Sequence, residues 1–277
     1  MQMPPNVPGA MPAGTYSPDG QWVWSGREWV SSAPVATRTY LPTRTRSRVA
    51  IAALVAVGLM HVIGLFTLLG RLDIVRRLTN GEFVSAGEAN DSDNFVRTVG
   101  FVTFAATVVC GVLFLMWLYR TVANNHALGA RALQFSPGAS VWWWFCPIAN
   151  WVRPFQILRE TWRAANPSAP GSTPDQRQLQ RTPIHLIVWG LCWFAVSPIT
   201  VFVYLSNASQ PDAFDPAQRL NALQTQTIAE LVNAVIWVVA AVLAVVIVSR
   251  INARQQRLLS VVSQTPAPGP AAAVAPA

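Results

Sequence analysis

The apolar positions of this chain gather in four long runs separated by polar stretches, without the strict alternation of a half-buried sheet. Val49–Gly70 and Thr98–Tyr119 each extend over 22 residues free of formal charge. Ile184–Ser206 is rich in Trp, Val and Phe, with His185 near its start and Pro198 inside it. Ile228–Ser249 carries Glu230 as its single charged residue, close to one end. At 1.5 Å per residue, each run covers the ~30 Å hydrocarbon core of a bilayer. The pattern predicts an all-α membrane protein with four transmembrane helices, spans of about 49–70, 98–119, 184–206 and 228–249.

The remaining segments divide by composition. Residues 1–14 and 261–277 are rich in Pro, Ala and Gly without periodicity, and disorder is expected there. Between residues 15 and 31, Trp22, Trp24 and Trp29 are spaced for short strands, with turn-forming pairs at Asp19-Gly20 and Ser25-Gly26. That stretch reads either as a small Trp/Gly β-ribbon or as an unstructured aromatic linker. A basic linker, 32–47, leads into a membrane domain over 48–260. Within the long loop between helices two and three, Ala139–Val152 is too short for a fifth span and Pro147 interrupts it. Its tryptophans favour the headgroup level, which leaves an interfacial or a shallow re-entrant segment. After Pro154, Phe155, Leu158 and Trp162 recur at helical spacing, with Arg159, Glu160 and Arg163 towards the other side. The expectation is an amphipathic helix lying on the membrane surface.

Charge orients this arrangement. Hydrophobic residues make up 52% and charged residues 12% of the 277, a balance that argues against a soluble domain. Every cationic side chain is arginine, and the formal net charge is +8. Fourteen arginines lie in the 32–48 segment, in the loop between spans two and three, and after the last span, with Arg27 further towards the N-terminus on the same side. Five lie on the opposite side: Arg71, Arg76, Arg77, Arg97 and Arg219. The positive-inside rule then makes both termini and the long central loop cytoplasmic. The arginines flank apolar segments instead of forming one dense patch, so anionic lipid headgroups are the expected partner and nucleic acid is not. The start of the chain lacks a charged segment followed by an apolar core. The first span is therefore expected to act as an uncleaved insertion signal.

The stretches WLYRTVANNHALGA, FSPG, WWWFCPIANWVRPFQ and RETWRA, together with INARQQR after the last helix, resemble domain-of-unknown-function family 4328. The likeness extends from about residue 50 to 260. It implies a bacterial multi-pass membrane protein, frequent in actinobacteria and seated in the plasma membrane, and it implies no activity, substrate or cofactor. The motif positions it singles out are Arg120, Asn124, Asn125, Gly129, Pro137, Trp143, Pro147, Asn150, Arg153, Pro154, Arg159 and Glu160. Arg120, Asn124 and Asn125 are expected to cap helix two among lipid phosphates, with Arg120 either anchoring lipid or pairing with Glu160.

Three polar groups inside spans are candidates for chemistry. His61 is mid-helix, where an ionisable residue is a functional candidate or a neutral imidazole bonded to a neighbouring helix. Glu230 would pair with Arg219 or reach the interface, and Asn233 sits one turn further in. Cys110, Cys146 and Cys192 are too few and too scattered for a disulfide framework or a zinc site. No phosphate-cradling loop, metal-ligand cluster or nucleophile elbow occurs in the sequence. The expectation is a non-enzymatic scaffold or interaction protein without cofactors, engaging lipid headgroups and a protein partner or a second copy of itself. The alternative is a small transporter or channel subunit using His61, Glu230 and Asn233.

Overall fold

A computed structural model describes residues 14–15, 22–24, 26, 29–31, 39–130, 132–168, 176–177, 179–208 and 216–264. It divides into two compact units, Met1–Thr39 and Tyr40–Ala277. In the first, β1 (Trp22–Trp24) pairs antiparallel with β2 (Trp29–Ser31), with Trp24 opposite Trp29. The two indoles meet edge-on at 5.5 Å, and Gly26 turns the chain at φ +93°. Gly14 and Thr15 exchange backbone hydrogen bonds with Trp24, adding a third short segment. Of the disorder expected over 1–14 and 261–277, all but Gly14 and residues 261–264 falls outside the described residues. Residues 261–264 are helical.

The second unit is helical. Its elements are α1 (Arg44–Thr79), α2 (Ala86–Ala127), α3 (Ala139–Trp142), a 3-10 turn (Ala149–Trp151), α4 (Arg153–Ala164), α5 (Ile184–Ala208) and α6 (Pro216–Gln264). Four of these, α1, α2, α5 and α6, are long and apolar enough to cross a membrane, which makes the chain a multi-pass membrane protein. Large apolar side chains such as Phe66, Phe101, Phe104 and Leu191 stand exposed along them, as lipid-facing groups do.

The helices outrun their apolar runs. At 36 and 42 residues, α1 and α2 are about 54 and 63 Å long, far more than the ~30 Å core. Where the sequence suggests an outer loop over 71–97, only residues 80–85 are non-helical. Ion pairing explains the extension: Arg77 bonds Glu82 and Glu88, and Arg71 reaches Asp93 at 3.5 Å, tying the two projecting ends together. Ser85 caps α2 by accepting the Glu88 N–H.

Packing follows the order α2, α1, α6, α5: α1 lies between α2 and α6, and α5 packs on α6. Gly58 admits Ala241 at the α1–α6 contact, where an added Cβ would sit 3.4 Å from the alanine methyl. The α2 and α5 helices share no extended contact. Trp144, from the loop after α3, fills the space between them, edge-on to Phe114 of α2 and to Trp193 of α5.

The tightest core sits at one end of the bundle, not at its middle. Trp117, Leu118, Ile157, Leu158, Leu186, Val248 and Ile251 are all essentially inaccessible there. This revises the reading of 153–164 as a helix resting on lipid. Leu158 is 1% exposed, Ile157 is 0%, and Phe155 and Trp162 pack against the same cluster. The apolar stripe of α4 faces the ends of α2, α5 and α6, and Pro154 opens the helix at a buried position. An amphipathic stripe of this kind can be satisfied by protein as readily as by lipid, and here protein takes it.

Candidate functional site

Two places concentrate polar groups: the capped end of the bundle and a cavity between its membrane-spanning helices.

At the capped end, Asn124 and Asn125 are fully buried, so they do not face phosphates as the sequence suggests. Asn124 accepts the Leu41 N–H at 3.2 Å and donates to Leu41 O at 2.8 Å, clamping the chain just before α1. Asn125 donates to Thr161 O of α4. Gln255 of α6 donates to Asn125 Oδ1 at 2.6 Å and to Thr121 O at 2.8 Å. Two adjacent amides of α2 thus satisfy backbone and side-chain groups from three other parts of the fold. Buried amides require such partners, which is the physical reason they point inwards. Gly129 ends the α2 segment at φ +86°, its N–H bonded to His126 O, while Ala130 N–H returns to Asn125 O.

The other motif residues mostly build the cap. Pro137 is buried and its carbonyl accepts the Ser140 hydroxyl. Asn150 O accepts the Trp193 indole N–H at 2.8 Å, pinning the loop to α5. Arg153 is half-buried, its guanidinium 5.0 Å from the Trp143 ring centre and 5.8 Å from that of Phe135, with a bond to Gln156. It props the loop from within. Pro147 is exposed. Glu160 accepts from Gln134 N–H at 2.6 Å and Phe135 N–H at 3.1 Å, so its carboxylate turns to that backbone and not to Arg120. Burial raises its pKa, against the two N–H bonds and the charge of Arg177. Arg120 is half-buried.

The cap also exposes apolar surface. Trp142, Phe145, Ile148, Trp151 and Val152 are all exposed, Ile148 at 86%. They lie within 11 residues of one loop, while Trp143 and Trp144 of the same loop turn inwards.

Between the spans, His61 of α1, Glu230 and Asn233 of α6 line one cavity of about 330 Å³, together with Thr67, Thr103 and Val203. The His61 ring stacks on Trp237 at 5.2 Å, interplanar angle 3°. His61 Nε2 and Asn233 Oδ1 are buried with no hydrogen-bond partner among the described residues. Asn233 donates to Thr200 Oγ1 at 3.4 Å. Glu230 accepts from Gln226 at 2.8 Å and lies 4.0 Å from Arg71, so Arg71 takes the place the sequence suggested for Arg219. Antiparallel packing of α1 on α6 brings His61 near this pair, a convergence that no local spacing encodes. Among the described residues no group of three His, Cys, Asp or Glu is placed to hold a metal. The three cysteines are free, Cys110 buried and Cys146 and Cys192 half-buried.

Sequence reasoning missed Gln134, Arg177 and Gln255. Gln255 lies in INARQQR, one of the stretches that carry the family likeness, and it completes the buried amide network. Gln134 and Arg177 come from segments without periodicity, so no sequence signal marks them.

No curated protein and no solved structure matches the chain. A family model described as Domain of unknown function (DUF4328) matches residues 80–253, from the α1–α2 connection through α6 as far as the turn before Gln255. The match covers more than half of the chain, taking in α2 to α5 and most of α6 but not α1, and this multi-pass membrane protein belongs to the DUF4328 family.

Proposed function

We propose that the protein is a non-enzymatic membrane scaffold in which the described residues 132–168, between α2 and α5, form an interfacial platform on the cytoplasmic face of a bacterial plasma membrane. The observation that carries this reading is the exposed apolar loop, Trp142 to Val152, standing beside α4, whose apolar face packs on the ends of α2 and α5. Exposed aromatic and aliphatic groups of this kind gain free energy by entering the headgroup–acyl boundary. The arginine distribution supports the cytoplasmic side. The platform would engage lipid there, with a protein partner or a second copy on its outer surface. To test it, a fluorophore placed at Ile148→Cys in the otherwise cysteine-free chain is read in nanodiscs containing lipid-borne quencher. Immersion supports the platform; a fully water-accessible label removes it.

A second reading is favoured by the single cavity that gathers His61, Glu230 and Asn233. Polar atoms left without partners in a membrane-spanning segment are costly, and they commonly line pathways for ions or protons. Under this reading His61→Ala abolishes ion or proton flux in liposomes while the fold survives. Absence of flux from the wild-type protein counts against transport itself.

A further inference from the structure

The outward face of α4 lines a second polar pocket, of about 390 Å³, with Gln134, Gln156, Arg159, Glu160, Arg163 and Arg177 in its walls. Three guanidinium groups meet one carboxylate there, a formal excess of +2 (three cations less one anion). That carboxylate is already engaged by the N–H groups of Gln134 and Phe135. Arg177, which is buried, donates to Ala132 O at 3.1 Å. Arg163 donates through Nη2 to Thr182 Oγ1 at 3.2 Å, while its Nε is buried with no acceptor among the described residues. Arg159 stands one turn before Arg163 on the same helix, a like-charge spacing that is destabilising by itself. Burial, and after it the charge of Arg159, lowers the pKa of Arg163. Nothing on α4 relieves this: its one acid is Glu160.

A doubly charged tetrahedral anion would relieve it. Guanidinium forks match phosphate oxygens in geometry, and charge-assisted bonds of this type are roughly twice as strong as neutral ones. The volume exceeds what a bare phosphate fills, leaving room for an organic substituent. We propose that this pocket binds a phosphate monoester group, with Arg159 and Arg163 as its principal ligands and Arg177 closing the far side. The same chemistry is offered by the headgroup of a monoester phospholipid and by a phosphorylated solute. The lipid source rests on the platform reading, and the solute source does not.

The test uses the purified full-length chain in nanodiscs. In phosphatidylcholine discs, equilibrium dialysis measures binding of radiolabelled inorganic phosphate. In a second set, native mass spectrometry compares retention of phosphatidic acid, a monoester, with phosphatidylglycerol, a diester. Saturable phosphate binding in phosphatidylcholine discs identifies a solute-accessible site. Selective retention of phosphatidic acid without binding of free phosphate identifies the lipid headgroup. In either case Arg159→Gln and Arg163→Gln weaken binding about tenfold or more, since each removes a charge-assisted bond. Arg159→Lys, which keeps the charge and loses the fork, weakens it less, and Arg257→Gln, on the exposed end of α6, leaves it unchanged. The proposal is overturned if the wild-type chain binds neither probe, or if Arg159→Gln and Arg163→Gln bind as the wild type does. A water-exposed label at Ile148 with phosphate binding intact would remove the platform alone.

Discussion

Gln255 and Asn125, 130 residues apart in sequence, share a buried hydrogen bond of 2.6 Å at the capped end of the bundle. Through it the last helix grips α2, and α2 in turn grips α4 at Thr161 and the chain just before α1 at Leu41. Three other parts of the chain are thereby referred to two adjacent side chains of α2.

The first prediction concerns that bond. Gln255→Leu strands the Asn125 side-chain oxygen away from water, at a cost of about 1–3 kcal/mol, and removes the second bond to Thr121 O. Asn125→Ala frees the same partner and breaks the tie to α4. Thermal unfolding in detergent should show both variants less stable, with the double variant well short of additive. Strict additivity would mean that the two residues act independently.

Gly190 on α5 offers a second prediction. A Cβ at this position would stand 2.5 Å from the Phe155 ring of α4. Gly190→Val therefore forces α4 off its seat, destabilising the fold by about 1–3 kcal/mol, as overpacking does. Phe155→Ala in the same chain should restore part of the loss. A double variant no better than Gly190→Val would show that the clash lies elsewhere.

Glu160 gives a pH dependence. Burial raises its pKa in the folded chain above the unfolded value of about 4.3. The stability tied to its protonated form is complete below that unfolded value and is lost as pH rises through the folded one. The stability advantage of the wild type over Glu160→Gln should therefore shrink as pH climbs from mild acid towards neutrality. Unfolding midpoints at a series of pH values read this directly, and an advantage that grows with pH contradicts it.

Orientation is checked with two introduced cysteines. Asn90 is exposed near the start of α2, and Ser168 is exposed in the segment following α4. In a chain with its own cysteines replaced, a membrane-impermeant thiol reagent should label Asn90→Cys from outside the cell. Ser168→Cys should react only after lysis. Labelling of both from one side would break the four-span arrangement.

The spans were legible because each apolar run exceeds bilayer thickness and is bounded by polar residues. Their true lengths were not. Leu72–Leu78 reads as a possible short helix leaving the bilayer and the acid-rich stretch after it as loop, yet Arg71, Arg77, Asp93 and Glu88 pair across α1 and α2 and keep both helical. The periodicity of Phe155, Leu158 and Trp162 disclosed a helix with an apolar face without naming what that face meets. Asn124 and Asn125 looked like headgroup ligands because they follow a span; their partners, Leu41, Thr161 and Gln255, lie far off in sequence. His61, Glu230 and Asn233 stood out individually as polar residues in spans, while their meeting in one cavity required the register of α1 on α6. Two pairs of alanines, Ala52/Ala56 and Ala240/Ala244, have the four-residue spacing of small-residue helix packing; only the second pair is buried, and the first is exposed.

The inward seating of α4 has a practical corollary. Cut out as a free peptide, residues 153–164 would still be a basic amphipathic sequence, and Leu158 and Trp162 would drive it onto vesicles. That affinity would report on the very side chains that the intact protein withholds from lipid. Short-peptide liposome assays on this segment would thus overstate its grip on the bilayer, and only the assembled bundle presents Arg159 and Arg163 without the stripe behind them.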